Sequence, residues 1–214
     1  MNCDQKEILA RLKAEHPALC KLIPQVEEAF ALLKSAYDAG GKVMICGNGG
    51  SAADSEHIVG ELMKGFLKKR PIKGAQRAAF DALDGLPAGF ADKLQGALPA
   101  IALPCHTSLT SAYSNDVAAD MIFAQQVFGY GKPGDALIAL STSGNSKNVV
   151  NAVWAAKAAG VKTIAITGEK ESALSELCDV CLRTPSHETY RVQEYTLPLY
   201  HALCALIEAE YFAE

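Results

Sequence analysis

Short apolar runs recur along this chain, and stretches with apolar residues at helical spacing separate them. The runs cover residues 42–46, 99–103, 135–140, 162–167 and 179–184. A strand that is apolar along its length is buried on both faces, and this occurs in parallel sheets covered by helices. Right-handed crossovers place helices on both sides of such a sheet. The pattern therefore predicts an α/β fold, a three-layer α/β/α sandwich around a five-stranded parallel sheet.

The helical spacing predicts helices between the strands and at both ends of the chain. The predicted helices cover residues 5–15, 24–41, 51–66, 117–129, 147–160, 171–177 and 187–212. The first two form an N-terminal helical region at 5–39. Ser51 is of the type that caps helix N-termini, so it is predicted as the N-cap of the third helix.

Residues 72–98 depart from this alternation. Two short helical stretches are interrupted there by Gly85, Pro87 and Gly89. The segment is too short to form a domain, and a chain of 214 residues fits one sizeable domain. We therefore expect a single domain over residues 1–214, with an insertion at about 72–98 between a helix and a strand.

Composition and charge exclude several classes of protein. A formal net charge of −4 argues against a nucleic-acid surface, and the one basic segment, KGFLKKRP at 64–71, is expected to be a solvated loop. No apolar run approaches the ~18 residues of a membrane span, and the start of the chain lacks a signal-peptide pattern. We expect a cytoplasmic protein without a membrane or nucleic-acid partner.

The cysteines do not suggest a disulfide framework. There are seven of them, an odd number without regular spacing. Cys178 and Cys181 form a C-x-x-C pair within a predicted buried strand, and no second pair accompanies them. Their expected role is packing.

A glycine-rich turn, GNGGS at residues 47–51, follows the first predicted strand, and we call it the glycine loop. Its spacing fits a loose dinucleotide-binding fingerprint and equally fits a loop that holds one phosphate. A dinucleotide site requires an acidic residue ~20 residues further on, at the end of the second strand. The region at that distance reads MKGFLKKRP, and the next strand ends in Leu103 and Pro104, so no acidic residue occupies the place and a dinucleotide is disfavoured.

A second polar turn, STSGNS at residues 141–146, follows the third predicted strand, and we call it the serine loop. Its hydroxyl groups and the N–H groups at the start of the next helix can converge on an anion. The lysine of a P-loop is missing, and the alternative is a Ser-rich turn that merely caps the helix. Both loops are expected at the same sheet edge, because they follow parallel strands.

The stretches CGNGGSAADSEH and ALSTSGNSKNVVNAVWAAKAAGVKTIAITG resemble the sugar isomerase (SIS) domain family, and within it the phosphoheptose isomerases. The resemblance runs from about residue 24 to the C-terminus, interrupted at 72–98. It implies a flavodoxin-like SIS fold and a phosphosugar aldose–ketose isomerase that converts sedoheptulose 7-phosphate to D-glycero-D-manno-heptose 7-phosphate through an enediol. It also implies one Zn²⁺ per subunit and a homotetramer with active sites at subunit interfaces.

His57 and Glu61 are four residues apart on a predicted helix, so they share a face. Such a pair can meet at one ion, or its members can be mere surface neighbours. The residues that match the family's zinc ligands are His57, Glu61, Gln193 and His201, and Glu61 and His201 match its acid–base pair. The substrate contacts implied by the resemblance are Asn48, Gly49, Gly50, Ser51, Glu61, Asn115, Asp116, Ser141, Thr142, Ser143, Ser146 and Gln193.

Three alternatives stay open at this point. Gln193 and His201 are eight residues apart, which is ~12 Å on a straight helix, so either Pro198 kinks the helix or a neighbouring subunit donates one ligand. Asn115 and Asp116 could instead form an Asx turn. The chain could also act on a different phosphorylated or anionic sugar, or be a non-catalytic SIS module, although the complete ligand set favours an enzyme.

Overall fold

The computed structural model describes residues 1–212 and contains a five-stranded, all-parallel sheet. The strands are β1 Val43–Cys46, β2 Ala100–Ala102, β3 Ala136–Leu140, β4 Lys162–Thr167 and β5 Val180–Arg183. All five predicted strands are therefore confirmed. The strand order is β2-β1-β3-β4-β5, so the chain direction across the sheet reverses between β1 and β3. Ligands of such sheets bind at this switch point, beyond the carboxyl ends of the strands.

Nine α-helices pack around the sheet within residues 1–212. They are α1 Cys3–Glu15, α2 Ile23–Asp38, α3 Gly50–Met63, α4 Gly74–Asp81, α5 Thr107–Tyr113, α6 Ile122–Tyr130, α7 Lys147–Ala158, α8 Ala173–Leu177 and α9 Thr189–Tyr211. The longest helix, α9, continues through Pro198.

Two details of the predicted helices are wrong. Helix α3 begins at Gly50, and its N-cap is Gly49 with φ of 55°, a left-handed conformation that favours glycine. Ser51 therefore lies inside the helix, where it is buried. The helix predicted over 117–129 is present as α6 but begins only at Ile122, because the extended backbone of Ala118 separates a π-helical turn from a 3₁₀ turn in the residues before it.

Two apolar cores lie on opposite faces of the sheet. Adjacent strand residues point to different cores: Ile45 belongs to the core beneath α2, α3 and α9, and Met44 to the core beneath α6 and α7. Both side chains are fully buried. Burial on both faces is the reason that each strand reads as an apolar run instead of an alternating one.

The 72–98 segment forms two short helical stretches, α4 and a 3₁₀ turn at Ala91–Lys93, as expected. Every residue of α4 is exposed or half-buried. Phe80 and Phe90 pack against each other with ring centroids 6.0 Å apart. The segment therefore contributes little to the two cores.

Each of the seven cysteines, all within the described residues, is a free thiol. Cys178 and Cys181 are half-buried against the second core, and burial raises the pKa of Cys178 to about 12. This confirms a packing role. Across residues 1–212, no helix combines the length and hydropathy that crossing a membrane requires.

Candidate active site

Helices α3 and α9 bring three of the predicted site residues together. One ligand atom from each of His57, Glu61 and His201 lies within 4.8 Å of the other two. His57 Nε2 is 3.0 Å from Glu61 Oε1, and Lys64 Nζ donates to Glu61 Oε2 at 3.3 Å. The rings of His57 and His201 pack edge to face, 5.0 Å apart. One carboxylate and two imidazoles of a single chain thus face one point.

His201 contributes a buried ring nitrogen to this group, although the residue as a whole is half-buried. Its Nε2 atom is buried and has no hydrogen-bond partner among residues 1–212. Burial and the adjacent His57 lower the pKa of His201, and Glu61 opposes them. A buried nitrogen without a partner costs about 1–3 kcal/mol of folding free energy. A bound ligand that pairs with this atom would therefore stabilise the site. A divalent cation that accepts nitrogen and oxygen ligands, such as Zn²⁺, fits this donor set.

Tyr200 and Asp54 lie behind His57. The Tyr200 hydroxyl is 2.9 Å from His57 Nδ1 and 3.3 Å from Asp54 Oδ1. Burial raises the pKa of both Asp54 and Tyr200. A contact to Nδ1 orients the ring and leaves Nε2 directed at Glu61. Sequence reasoning missed both residues; the three-residue spacing of Asp54 and His57 on α3 was the only available signal.

A buried ion pair holds the end of α3 against α9. Arg70 Nε donates to Glu208 Oε1 at 2.8 Å, and each side chain is at most 1% exposed. Arg70 also donates to the carbonyl oxygens of Leu62, at 2.7 Å, and Glu61, at 3.0 Å. Glu208 accepts the backbone N–H groups of Phe66, Leu67 and Lys68.

The expectation that 64–71 is a solvated loop is therefore wrong for Arg70. The charge of Arg70 is compensated by Glu208, which is more than 130 positions away along the chain. No local pattern signals a pair at that separation.

The glycine loop packs closely against α9. A Cβ atom on Gly50 would overlap the side-chain amide of Gln193, and one on Gly47 would lie 2.7 Å from Ser51 Cβ. Gln193 therefore lies at the glycine-loop end of α9, two turns before His201, which corresponds to ~12 Å of helix. Three of the four predicted metal ligands are close together in one chain, and the role of Gln193 at the same ion stays a prediction.

The serine loop presents hydroxyl groups just before α7. Ser141 Oγ and Ser146 Oγ are 2.9 Å apart, and Ser143 Oγ accepts the N–H of Asn145 at 3.2 Å. The Asn145 side chain accepts the backbone N–H of Ala173 in α8 at 3.0 Å. Hydroxyl groups beside a helix N-terminus suit an anion.

The other predicted sugar contacts are spread over the same sheet edge. Asn48 lies in the glycine loop, and Thr142 is half-buried in the serine loop. Asn115 and Asp116 are exposed in the π-helical turn, where Asn115 Nδ2 donates to Asp116 Oδ1 at 2.8 Å. Their contact with a substrate stays a prediction.

A groove of about 180 Å³ opens beside His201. Its walls come from α1, from the loop after α3 and from α9. The lining includes Phe66, Leu67 and Pro198, so the groove is largely apolar on this side. It approaches His201 from the side of α1, whereas both strand-end loops lie at the sheet edge.

Comparisons with known proteins agree with this architecture. Two family models, both described as SIS domain, match residues 105–207 and 16–82. The phosphoheptose isomerase of Rhodospirillum rubrum is 40% identical over 185 residues, which cover 86% of this chain and 85% of that protein.

Solved structures give the same result. The phosphoheptose isomerase GmhA of Neisseria gonorrhoeae superposes with a TM-score of 0.71 and 33% identity, covering 93% of both chains. A phosphoheptose isomerase of Francisella tularensis superposes with a TM-score of 0.71 and 29% identity, covering 97% of this chain and 99% of that one.

Proposed function

This chain belongs to the phosphoheptose isomerase family of SIS-domain proteins, and we propose that it converts sedoheptulose 7-phosphate to D-glycero-D-manno-heptose 7-phosphate. It is an aldose–ketose isomerase, an intramolecular oxidoreductase. The observation that carries the proposal is the convergence of His57, Glu61 and His201 at one point within a chain of this family. An acid–base pair beside a cation site is what proton transfer between two sugar carbons requires.

Glu61 and His201 are proposed as the catalytic residues. Glu61 takes the proton from the carbon next to the carbonyl group, and the enediol forms as the electron pair moves into the C–C bond. His201 moves the proton between the two oxygen atoms, and the burial that lowers its pKa favours the neutral imidazole. Returning the carbon proton to the neighbouring carbon completes the isomerisation. General acid–base groups of this kind contribute about 10²–10⁴-fold to the rate.

One Zn²⁺ per subunit is proposed as the cofactor. His57, Glu61 and His201 would hold it, with Gln193 as the predicted fourth ligand. The support is the cluster of ligand atoms from His57, Glu61 and His201 within 4.8 Å of one another, together with the buried, unpaired Nε2 atom of His201. When bound, the ion polarises the sugar carbonyl as a Lewis acid.

The substrate is proposed to span the two strand-end loops. The serine loop takes the phosphate through Ser141, Thr142, Ser143 and Ser146. The glycine loop, from Asn48 to Ser51, takes the sugar chain with its backbone, because a glycine turn allows close approach. Asn115, Asp116 and Gln193 are proposed to contact the sugar.

A homotetramer with active sites at subunit interfaces is also proposed. Its support is the exposure of large apolar side chains on α6 and α7, where Phe128 is 76% and Trp154 is 55% exposed. Apolar surface of this kind marks interaction sites. Light scattering on the purified protein should give four times the mass of one chain, and a monomeric mass would contradict the proposal.

The function is tested by incubating the protein with sedoheptulose 7-phosphate and with shorter ketose phosphates. NMR should detect the aldose product from the heptulose, with turnover lost in chelator and restored by Zn²⁺. Turnover of a shorter ketose alone would reassign the substrate. Turnover of none, with Zn²⁺ present, would refute the isomerase.

A further inference from the structure

The two loops flank the switch point of the sheet. β1 and β3 are neighbours, with Cys46 paired to Ala139, and each loop follows one of these strands. Helix α3 then packs over one core and α7 over the other. The chain therefore leaves β1 and β3 toward opposite faces, and a crevice separates the loops.

One pair of side chains crosses this crevice. Asn48 Nδ2 donates to Asn148 Oδ1 at 2.8 Å, and Asn148 Nδ2 donates to Asn48 Oδ1 at 2.8 Å. The partners are 100 positions apart along the chain. Within residues 1–212, these two bonds are the side-chain hydrogen bonds that join the glycine loop to the first turn of α7.

Asn148 is itself held in place by its own helix. Its Oδ1 atom also accepts the backbone N–H of Val149 at 3.0 Å, and Val149 is fully buried in the second core. The amide of Asn148 is thus anchored to its own helix, and its partner Asn48 belongs to the glycine loop. A concerted flip of both amides would preserve the pair but would set Asn148 Nδ2 against the Val149 N–H, so the Val149 contact selects one arrangement.

We propose that Asn148 is a positioning residue that sets the separation between the glycine loop and the serine loop. This inference rests on the proposed function, since it assumes that one substrate spans both loops. Asn148 acts through Asn48 and has no contact with the reacting atoms. Its effect on turnover comes from holding the sugar in register with Glu61 while the phosphate stays on the serine loop.

The size of the effect follows from the geometry of catalysis. A misplacement of ~1 Å can cost as much as ~100-fold in rate. Loss of two exposed hydrogen bonds loosens the loop without removing any group that contacts the phosphate. The serine loop keeps its own Ser141–Ser146 contact, so its affinity for phosphate should persist.

The test is a double-mutant cycle with Asn148→Ala, Asn48→Ala and the double variant. The measurements are kcat/KM for sedoheptulose 7-phosphate and the inhibition constant of inorganic phosphate. Asn148→Ala should lower kcat/KM about tenfold and leave phosphate inhibition within about twofold of wild type. In the Asn48→Ala background, the same change should lower kcat/KM by less than about twofold.

Two further variants serve as controls. Asn148→Asp keeps the size of the side chain and the acceptor for Asn48 Nδ2, but it places a carboxylate oxygen against Asn48 Oδ1, and this repulsion should cost as much activity as Asn148→Ala. Lys157→Ala, at the far end of α7, removes a hydrogen bond to the Leu177 carbonyl and should leave kcat/KM unchanged. Thermal melting confirms that each variant is folded.

Three results would overturn the inference. A full tenfold loss that persists in the Asn48→Ala background would make Asn148 a direct substrate contact. A parallel loss of phosphate inhibition would place its effect on the serine loop. Wild-type activity of Asn148→Ala and Asn148→Asp would leave it no role. If the wild-type protein does not isomerise the heptulose, the proposed function is refuted instead. The same double-mutant cycle is then measured by calorimetry, as the affinity of each variant for sugar phosphates.

Discussion

The helix pair α3/α9 and the two strand-end loops form two halves of the site, and they are built differently. The helix pair holds His57, Glu61 and His201 through buried side-chain contacts, above all the Arg70–Glu208 ion pair. The loops are shaped by backbone turns and carry exposed polar groups. The difference indicates that groups which move protons need rigid side chains, whereas a loop that receives a substrate needs accessible backbone.

The sharpest test of this comparison removes the base from the helix pair. Glu61→Gln keeps the shape of the side chain but cannot accept the carbon proton, so kcat should fall about 10²–10⁴-fold. Steady-state kinetics measures this loss, and calorimetry should still detect sugar-phosphate binding. Glu56→Gln, an exposed carboxylate on the same helix, is the matched control. Near-normal turnover by Glu61→Gln would assign the base elsewhere.

The second test breaks the contact that joins the two helices. Arg70→Met leaves Glu208 buried without its partner, which should lower the free energy of unfolding by about 3–5 kcal/mol. Urea denaturation measures the change. Arg77→Met, in the exposed insertion, removes pairs with Asp81 and Asp92 and should cost at most about 1 kcal/mol. An equal decrease in the free energy of unfolding in both variants would show that the buried Arg70–Glu208 pair matters no more than an exposed one.

The third test acts where the loops meet the helix pair. Gly50→Ala places a methyl group against the Gln193 amide, so we expect kcat/KM to fall about tenfold. Gly60→Ala is the matched control on the same helix, because a methyl group there meets open space. It should stabilise the protein by roughly 0.5–1 kcal/mol with activity unchanged. Normal kinetics for Gly50→Ala would show that the close approach is dispensable.

The smallest expected effect is the pH dependence that His201 gives to the metal-free protein. Its folded pKa lies below the unfolded value of ~6.5, so the unfolded chain binds the proton more readily as the pH falls. In the presence of chelator, the free energy of unfolding should therefore decrease as the pH falls from 7 through the unfolded pKa of ~6.5. His201→Asn should flatten this part of the curve of unfolding free energy against pH. Superimposable curves for the two proteins would contradict the assignment.

The loop half was largely predictable from the sequence, because its signals are local. Glycine residues after a strand mark a turn, and Gly49 adopts a positive φ there. Serines after a strand mark a helix start. Only the assignment of the N-cap to Ser51 was wrong, since a hydroxyl residue and a left-handed glycine are both common at that position.

In the helix half, the sequence predicted three residues that the structure brings together, but not the residues that hold them in place. The spacing of His57 and Glu61 places them on one helix face, and the resemblance to the family singled them out together with His201. Tyr200 and Arg70 carry no local signal, because their partners His57 and Glu208 are separated from them by 143 and 138 positions. The pairing of Asn48 with Asn148 was missed for the same reason.

By itself, the sequence determined the layered fold, because strands buried on both faces must read as apolar runs and turns must use glycine or small polar residues. The tertiary structure alone decided which side chains meet across the crevice and between α3 and α9. Those contacts depend on the packing of whole helices on the sheet, which places residues more than a hundred positions apart within hydrogen-bond distance. A local sequence pattern indicates which face of a segment is buried. Which distant segment packs against that face depends on the tertiary structure.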